Sequence, residues 1–202
     1  MASEVQIARL ALQHLGDRFN ITSLDEATPE AEQVNLVYDE VRDMVLRSHP
    51  WKFAKKFTSP AFLVETPTFA PPANWGYMYV YPSDCLRMLR IVNILGDDKP
   101  PIRYETGLNS VGDRVILSNE SEITLEYTSR VVDPNMYDSQ FITGMAYRLA
   151  QYLAIPITGD RQRMADMQAL ADRELGLAMA TDANEGFEAP ALTEATWMDA
   201  RS

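Results

Sequence analysis

The sequence predicts an α+β protein: a four-helix bundle built from both ends of the chain, an inserted antiparallel β domain and an extended C-terminal arm. Apolar residues recur at helical spacing before Pro50 and again after Asp138. Between these segments, strand-forming residues alternate with proline and glycine turn signals. The predicted boundaries are residues 1–50 and 134–181 for the two halves of the bundle, 51–133 for the β domain and 182–202 for the arm.

Two helices are predicted in the first half of the bundle. Ser3 can cap a helix over about 4–15, and Gly16 suits the position after its last turn. Thr28 supplies a second capping side chain. A proline at the first helical position and an acid follow it, which predicts a helix over about 29–48.

Two further helices are predicted in the second half. Asp138 is a suitable N-cap for a helix that ends near a proline, at residues 155–156, and a fourth helix is expected over about 161–180. Small residues along the third helix indicate that another helix approaches it closely; they are Gly144, Ala146, Ala150 and Ala154.

The β domain is predicted to contain several short strands. The candidate strands cover residues 62–65, 77–81, 87–95, 102–105, 114–117 and 122–128. The last two are expected to form a hairpin around residues 118–121. In the last strand, apolar Ile123, Leu125 and Tyr127 alternate with Glu122, Thr124 and Glu126, which predicts one buried and one solvent-exposed face.

Residues 41–57 form the joint between the predicted helical and β parts. Pro50 ends the helix there, and Trp51 and Phe53 alternate with Lys52 in a strand-like pattern. Three of the four lysines lie in this segment, and they are Lys52, Lys55 and Lys56. They could contact a phosphate backbone or an acidic partner. The alternative is a strand with its aromatic residues inward and its lysines in solvent.

Composition limits the class of protein. The chain has 202 residues and a net charge of −11, which argues against a dedicated nucleic-acid binder but is compatible with DNA that slides past without binding. Plain solubility is the alternative explanation of this charge. The single cysteine, Cys85, suits a reducing cytosol, and neither a signal peptide nor a membrane span is expected.

No pattern in the sequence predicts catalysis, and no catalytic, cofactor-binding or metal-binding residue is expected. Common nucleotide-binding, hydrolase and zinc motifs do not occur, and the two histidines, His14 and His49, lie far apart. A glycan hydrolase that acts on a cell wall or polysaccharide remains an alternative, because two of the 29 acidic residues could face each other across a cleft. A binding module with the same helical and β layout is a second alternative.

Several segments in order resemble the tail tubular protein A family, the head-to-tail adaptors of short-tailed bacteriophages, and residues 21–26 come first. Residues 41–54 resemble that family's arginine–acid helix end, its proline–tryptophan step and its Phe-Ala pair. Residues 81–87 resemble its proline–serine–aspartate–cysteine–leucine–arginine step into a strand. Leu125-Glu126-Tyr127 and Arg148-Leu149-Ala150 follow in the same order, and the resemblance covers about residues 5–180.

The resemblance implies a structural virion protein without enzymatic activity. Twelve copies would form a ring in the neck between capsid and tail, after assembly in the host cytoplasm. The ring would bind the portal protein and the tail nozzle, tail tubular protein B, with tail fibres as a possible further partner. Genomic DNA would pass through its channel without specific binding.

The resemblance also gives roles to particular residues. Arg42, Asp43 and Arg47 become candidates for ion pairs within or between subunits, and Trp51 and Phe53 for the anchor between domains. The C-terminal arm would bind the portal through its apolar residues Phe187, Leu192, Trp197 and Met198. A frayed terminus is the alternative interpretation of that segment.

Overall fold

A computed structural model describes residues 2–16, 21–63, 71–93 and 100–185. Within these residues the protein is α+β, with four α-helices and two small antiparallel sheets. The helices are α1 (Glu4–Leu15), α2 (Pro29–Ser48), α3 (Ser139–Thr158) and α4 (Arg161–Asn184). The strands are β1 (Lys55–Thr58), β2 (Tyr77–Val80), β3 (Cys85–Val92), β4 (Tyr104–Leu108), β5 (Arg114–Ser118) and β6 (Thr124–Ser129). The predicted arm residues Phe187, Leu192, Trp197 and Met198 lie outside the described residues.

All four helices begin where the capping residues predict. The Ser3 side chain accepts a hydrogen bond from the Gln6 amide, and Thr28 accepts one from Ala31. Asp138 and Asp160 cap α3 and α4 in the same way. These side chains satisfy amide groups that have no partner inside a helix, so the start of each helix is encoded locally. The predicted bounds of α1 and α2 are confirmed.

The ends of α3 and α4 differ from the prediction. Helix α3 continues past Pro156 to Thr158 and ends at Gly159, which adopts a left-handed conformation (φ 70°) and donates its amide to the Ile155 carbonyl. A proline this close to a helix end removes one hydrogen bond without stopping the last turn. Helix α4 extends to Asn184 instead of residue 180, because residues of its last turn bind the joint described below.

The six strands form two sheets, with strand orders β1–β6–β3 and β2–β5–β4. The predicted hairpin between β5 and β6 is therefore wrong, because these consecutive strands belong to different sheets. Their connection is bound to the second sheet by tertiary hydrogen bonds. Asn119 Oδ1 accepts from the Gly76 amide at 2.8 Å, and the Glu120 carbonyl accepts from the Tyr79 hydroxyl at 2.6 Å.

The other strand predictions locate strands but misplace some ends. Phe62 forms only an isolated bridge with Tyr79, and the remainder of the strand predicted over 62–65 lies largely outside the described residues. Strand β4 begins two residues later than predicted, and β3 begins two residues earlier. Both faces of the central strand β6 are buried, contrary to the predicted solvent-exposed face. Side chains from β1 and β3 cover Glu126, which is only 5% exposed.

Two main hydrophobic cores result. The first contains buried residues of all four helices together with Trp51, Ala54 and Leu86. Helix α3 is central to it, because α3 contacts α1, α2 and α4. The second core lies between the two sheets and includes Tyr79, Ile116 and Leu125. In the described part of the chain, no helix combines the length and apolarity needed to cross a membrane.

Gly144 allows the close approach of α3 and α4, as the small residues along α3 predict. A Cβ atom at this position would lie 2.6 Å from Leu175 Cδ2 and 2.8 Å from Leu175 Cγ. A Cβ at Gly176, one residue further along α4, would meet nothing within 4 Å. The two glycines therefore form a matched pair that separates packing from helix propensity.

We expect Gly144→Ala to lower the free energy of unfolding by about 1–3 kcal/mol relative to Gly176→Ala, because only the first substitution overpacks a helix contact. Both gain the same helix propensity, and Gly176→Ala alone should stabilise the protein by about 0.5–1 kcal/mol. Urea denaturation of both variants measures the difference. Equal stabilities would show that the helices can separate without cost.

Candidate functional site at the joint between helices and sheets

The chain turns sharply where α2 meets β1. His49 is the C-cap of α2. Lys52–Ala54 form one turn of 3₁₀ helix, in which the Ala54 amide donates a hydrogen bond to the Trp51 carbonyl at 3.0 Å. The strand-like alternation predicted for Trp51 and Phe53 is therefore wrong, and the strand begins at Lys55. The turn places both aromatic rings against the helical core.

Trp51 is the largest fully buried side chain of the joint. It is 1% exposed, and its ring packs edge-on against Phe141 of α3 with centroids 5.0 Å apart. Its indole N–H donates to the Val45 carbonyl at 3.0 Å, in the last turn of α2. Trp51 therefore fixes the exit direction of α2 relative to α3, and no buried polar group of the indole is left without a partner.

The last turn of α4 binds the same joint through Asp182. Its carboxylate accepts from the Lys52 amide at 2.9 Å and lies 3.1 Å from His49 Nε2. The Lys52 ammonium lies 3.3 Å from the Ala183 carbonyl. Sequence reasoning missed Asp182, although an acid in the last turn of a helix is unfavourable with the helix dipole and so indicates a partner elsewhere in the fold.

The predicted ion-pair residues lie within one subunit and connect α2 to the first sheet. The buried Arg42 guanidinium binds Asp39 at 2.7 Å and Asp43 at 2.9 Å, and Asp43 also binds Arg130 Nε at 2.7 Å. Burial lowers the pKa of Arg42, but hydrogen bonding and attraction from Asp43 outweigh burial and raise it. Arg47 donates to the Leu86 carbonyl at the start of β3.

The three lysines of the joint do not form one patch. Lys55 and Lys56 are adjacent in β1, so their side chains point to opposite faces of the sheet. Lys55 binds Glu126 at 3.2 Å, and Lys56 binds Asp84 at 2.6 Å. The Lys52 ammonium contacts the end of α4, so each of the three ammonium groups has a partner in its own subunit.

Two carboxylates of the first sheet have lowered pKa values. Burial raises the pKa of Glu126, but hydrogen bonds from Arg90 and Lys55 outweigh burial and keep it below its ordinary value. Burial likewise raises the pKa of Asp84, and hydrogen bonds from Lys56 and Tyr127 outweigh it. Both groups are therefore ionised at neutral pH and stabilise the contacts of β6 with β1 and β3.

A cleft of ≈ 230 Å³ opens between the joint and the end of α4. Its walls include Trp51 and Phe53 together with three carboxylates. Asp138 caps α3 and Asp182 binds the joint, so only Glu185 has no structural contact of its side chain among the described residues.

The remaining titratable candidates have structural contacts. His14 stacks on Tyr147 with centroids 4.1 Å apart, and burial lowers its pKa. Cys85 is buried and donates to the Tyr81 hydroxyl at 3.1 Å, and burial raises the pKa of its thiol. Within the described residues, no group of three or more His, Cys, Asp or Glu side chains is arranged to hold a metal ion.

We expect Trp51→Ala to reduce the free energy of unfolding by about 3–5 kcal/mol, because it leaves a large cavity and removes the buried hydrogen bond from the indole to the Val45 carbonyl. Chemical denaturation followed by circular dichroism measures this change. Phe57→Ala is the matched control, because Phe57 is an exposed aromatic residue of the same segment. A near-neutral Trp51→Ala would show that the joint is only a linker.

We expect Glu126→Gln to cost about 1–2 kcal/mol at neutral pH, because Arg90 and Lys55 lose their carboxylate. The pKa of Glu126 is lower in the folded than in the unfolded protein, so its contribution is complete above the unfolded pKa of about 4.3 and is lost as pH falls through the folded pKa. Free energies of unfolding of wild type and variant should therefore converge in acid. Glu105→Gln, on an exposed edge, is the control, and a difference that grows in acid would contradict the assignment.

A comparison with known proteins finds no match: no protein-family model matches the chain, and neither does any curated protein sequence. The joint and the sequence segments that meet there are therefore the main guide to function.

Proposed function

We propose that this protein is the ring-forming head-to-tail adaptor of a short-tailed bacteriophage, joining the portal to the tail nozzle. One observation carries the proposal. Three of the segments that resemble the tail tubular protein A family, distant in sequence, meet at the joint. They are residues 41–54, 81–87 and 125–127.

Specific contacts join these three segments. Arg47 of the first donates to the Leu86 carbonyl of the second. Asp84 of the second accepts from the Tyr127 hydroxyl of the third at 2.9 Å. Segments that resembled the family only by accident would not be expected to contact one another. The contacts between these segments therefore support a resemblance that extends to the fold.

The last segment, residues 148–150, supports the helical part of the proposal. Leu149 and Ala150 are fully buried in the core shared by all four helices, and Arg148 binds Asp172 of α4 at 2.5 Å. The proposed organisation is a four-helix bundle built from residues 1–50 and 134–181, with the β domain inserted and a C-terminal arm following. The shared core and the central place of α3 support it.

In this proposal the two parts of the subunit serve different partners. The helical part and the arm bind the portal, the β part receives the nozzle, and twelve copies surround the DNA channel. A net charge of −11 in each copy repels DNA phosphates, which lets genomic DNA pass without binding. The virion neck is the proposed location, after assembly in the host cytoplasm.

A candidate location for the glycan hydrolase alternative is the cleft between the joint and the end of α4, which three carboxylates line. Among the acids that line this cleft, Glu185 is the candidate acid or base, because Asp138 and Asp182 already form structural hydrogen bonds. Loss of activity on cell-wall glycan in Glu185→Gln, with the fold retained, would favour this alternative. Absence of turnover by the full chain on such a substrate would remove it.

We expect the full chain to form a complex with its cognate portal protein that contains a ring of twelve copies, measured by native mass spectrometry. Ending the chain after Glu185 should weaken portal binding on the order of tenfold or more, because the apolar arm residues are lost. Its melting temperature should not change. Ending the chain after residue 180 also removes Asp182, so that variant should lose stability as well.

These variants separate the arm from the joint. Equal portal affinity of the full chain and the chain ending at Glu185 would contradict the role of the arm. If the full chain formed neither a multimer nor a complex with portal, the adaptor proposal itself would be wrong.

A further inference from the structure

Charge is divided unevenly along the chain. Residues 51–130 contain nine basic and nine acidic side chains and are neutral, so the flanking segments carry the whole net charge of −11. Two copies of such a protein repel each other unless a cationic surface on one meets an acidic surface on the other. The first sheet supplies a cationic surface.

The cationic sheet face consists of Lys55, Phe57, Arg87 and Arg90. Pairing places Lys55 and Arg87 on either side of Thr128, and Phe57 and Arg90 on either side of Glu126. An irregularity in register between Met88 and Arg90 brings both arginines to the same face, although three positions separate them. Three cations therefore share this face with one carboxylate, and two of them bind it.

This face has the character of an interaction surface. Phe57 is 58% exposed on the edge strand of this face, and a large aromatic residue beside cations is a common feature of binding surfaces. The Arg87 side chain forms no ion pair within the described part of the chain. Glu126 is buried beneath the face, where Arg90 and Lys55 bind it, so the outward charge is positive.

The complementary surface lies on α2. Glu32, Leu36, Asp39 and Glu40 are exposed and follow the four- and three-residue spacing of one helix face. Leu36 is 70% exposed between these acids. This acidic helix face therefore has the same arrangement as the cationic sheet face, an apolar side chain among charges, but with the opposite sign.

We propose that the cationic sheet face of one copy binds the acidic helix face of a second copy. The inference rests on the proposed ring, and it names the surfaces that would join neighbouring subunits. Two different surfaces make a head-to-tail contact, which is the kind of contact that generates rings. DNA is a less suitable occupant, because the β segment as a whole is neutral and phosphate binding requires a net basic surface.

Two variants of the full chain test the contact. The sheet variant carries Phe57→Asp and Arg87→Glu, which leave the Glu126 ion pairs intact. The helix variant carries Leu36→Lys and Glu40→Lys. Arg161→Glu, an exposed charge change at the start of α4, is the matched control, and circular dichroism melts establish that all four proteins fold.

Sedimentation equilibrium at low salt measures self-association over a concentration series. Wild type and the Arg161→Glu control should associate, and added salt should weaken this association. Each variant alone should associate on the order of tenfold more weakly or worse, because like charges then face each other. An equimolar mixture of the two variants should associate more tightly than either variant alone, because each retains the surface that the other lacks.

The opposite outcomes overturn the inference. Variants that associate as wild type does, or a mixture that stays monomeric, would exclude this contact. Loss of duplex DNA binding in the sheet variant with unchanged self-association would assign the face to nucleic acid. If wild type and both variants all form the ring with portal, the proposed function stands and only this interface is removed. A wild type that is monomeric alone and with portal would remove both.

Discussion

The burial of the Trp51 indole is the contact on which the two parts of the molecule depend. Its ring packs on α3, its N–H binds the last turn of α2, and the next residue begins the turn into β1. Asp182 binds that same turn from the end of α4. Three helices and a strand thus share one short segment. A movement of any one of them changes the geometry seen by the other three.

The helices were predictable because their signals are local. Ser3, Thr28, Asp138 and Asp160 each satisfy amide groups within three residues of themselves, so neighbouring residues alone encode where each helix begins. The ends of α3 and α4 were less predictable for the opposite reason. Helix α4 gains its last turn from contacts with Lys52 and His49, about 130 positions earlier in the chain.

The sheets and the site depend on contacts that a single sequence does not reveal. The spacing of β5 and β6 is that of a hairpin, but hydrogen bonds from Gly76 and Tyr79 bind the connection to a different sheet. Glu126 occupies a polar position in the alternating pattern of its strand, which predicts exposure to solvent. Arg90 and Lys55 from the neighbouring strands nevertheless cover it. Sequence identified Trp51, Arg42 and Arg47 as important positions, but which atoms they bind became evident only from the fold.

The pairing of β1 with β6 has a consequence for how the protein folds. Helices α1 and α2 leave the ribosome long before α3, the helix that covers their apolar faces. Joining such distant segments directly would require closing a long loop, which costs chain entropy and slows folding. Once Lys55 pairs with Thr128, the end of α2 lies seven positions and the start of α3 eleven positions from that pair. The strand pairing and the helix contact therefore share the entropy cost of one long loop closure.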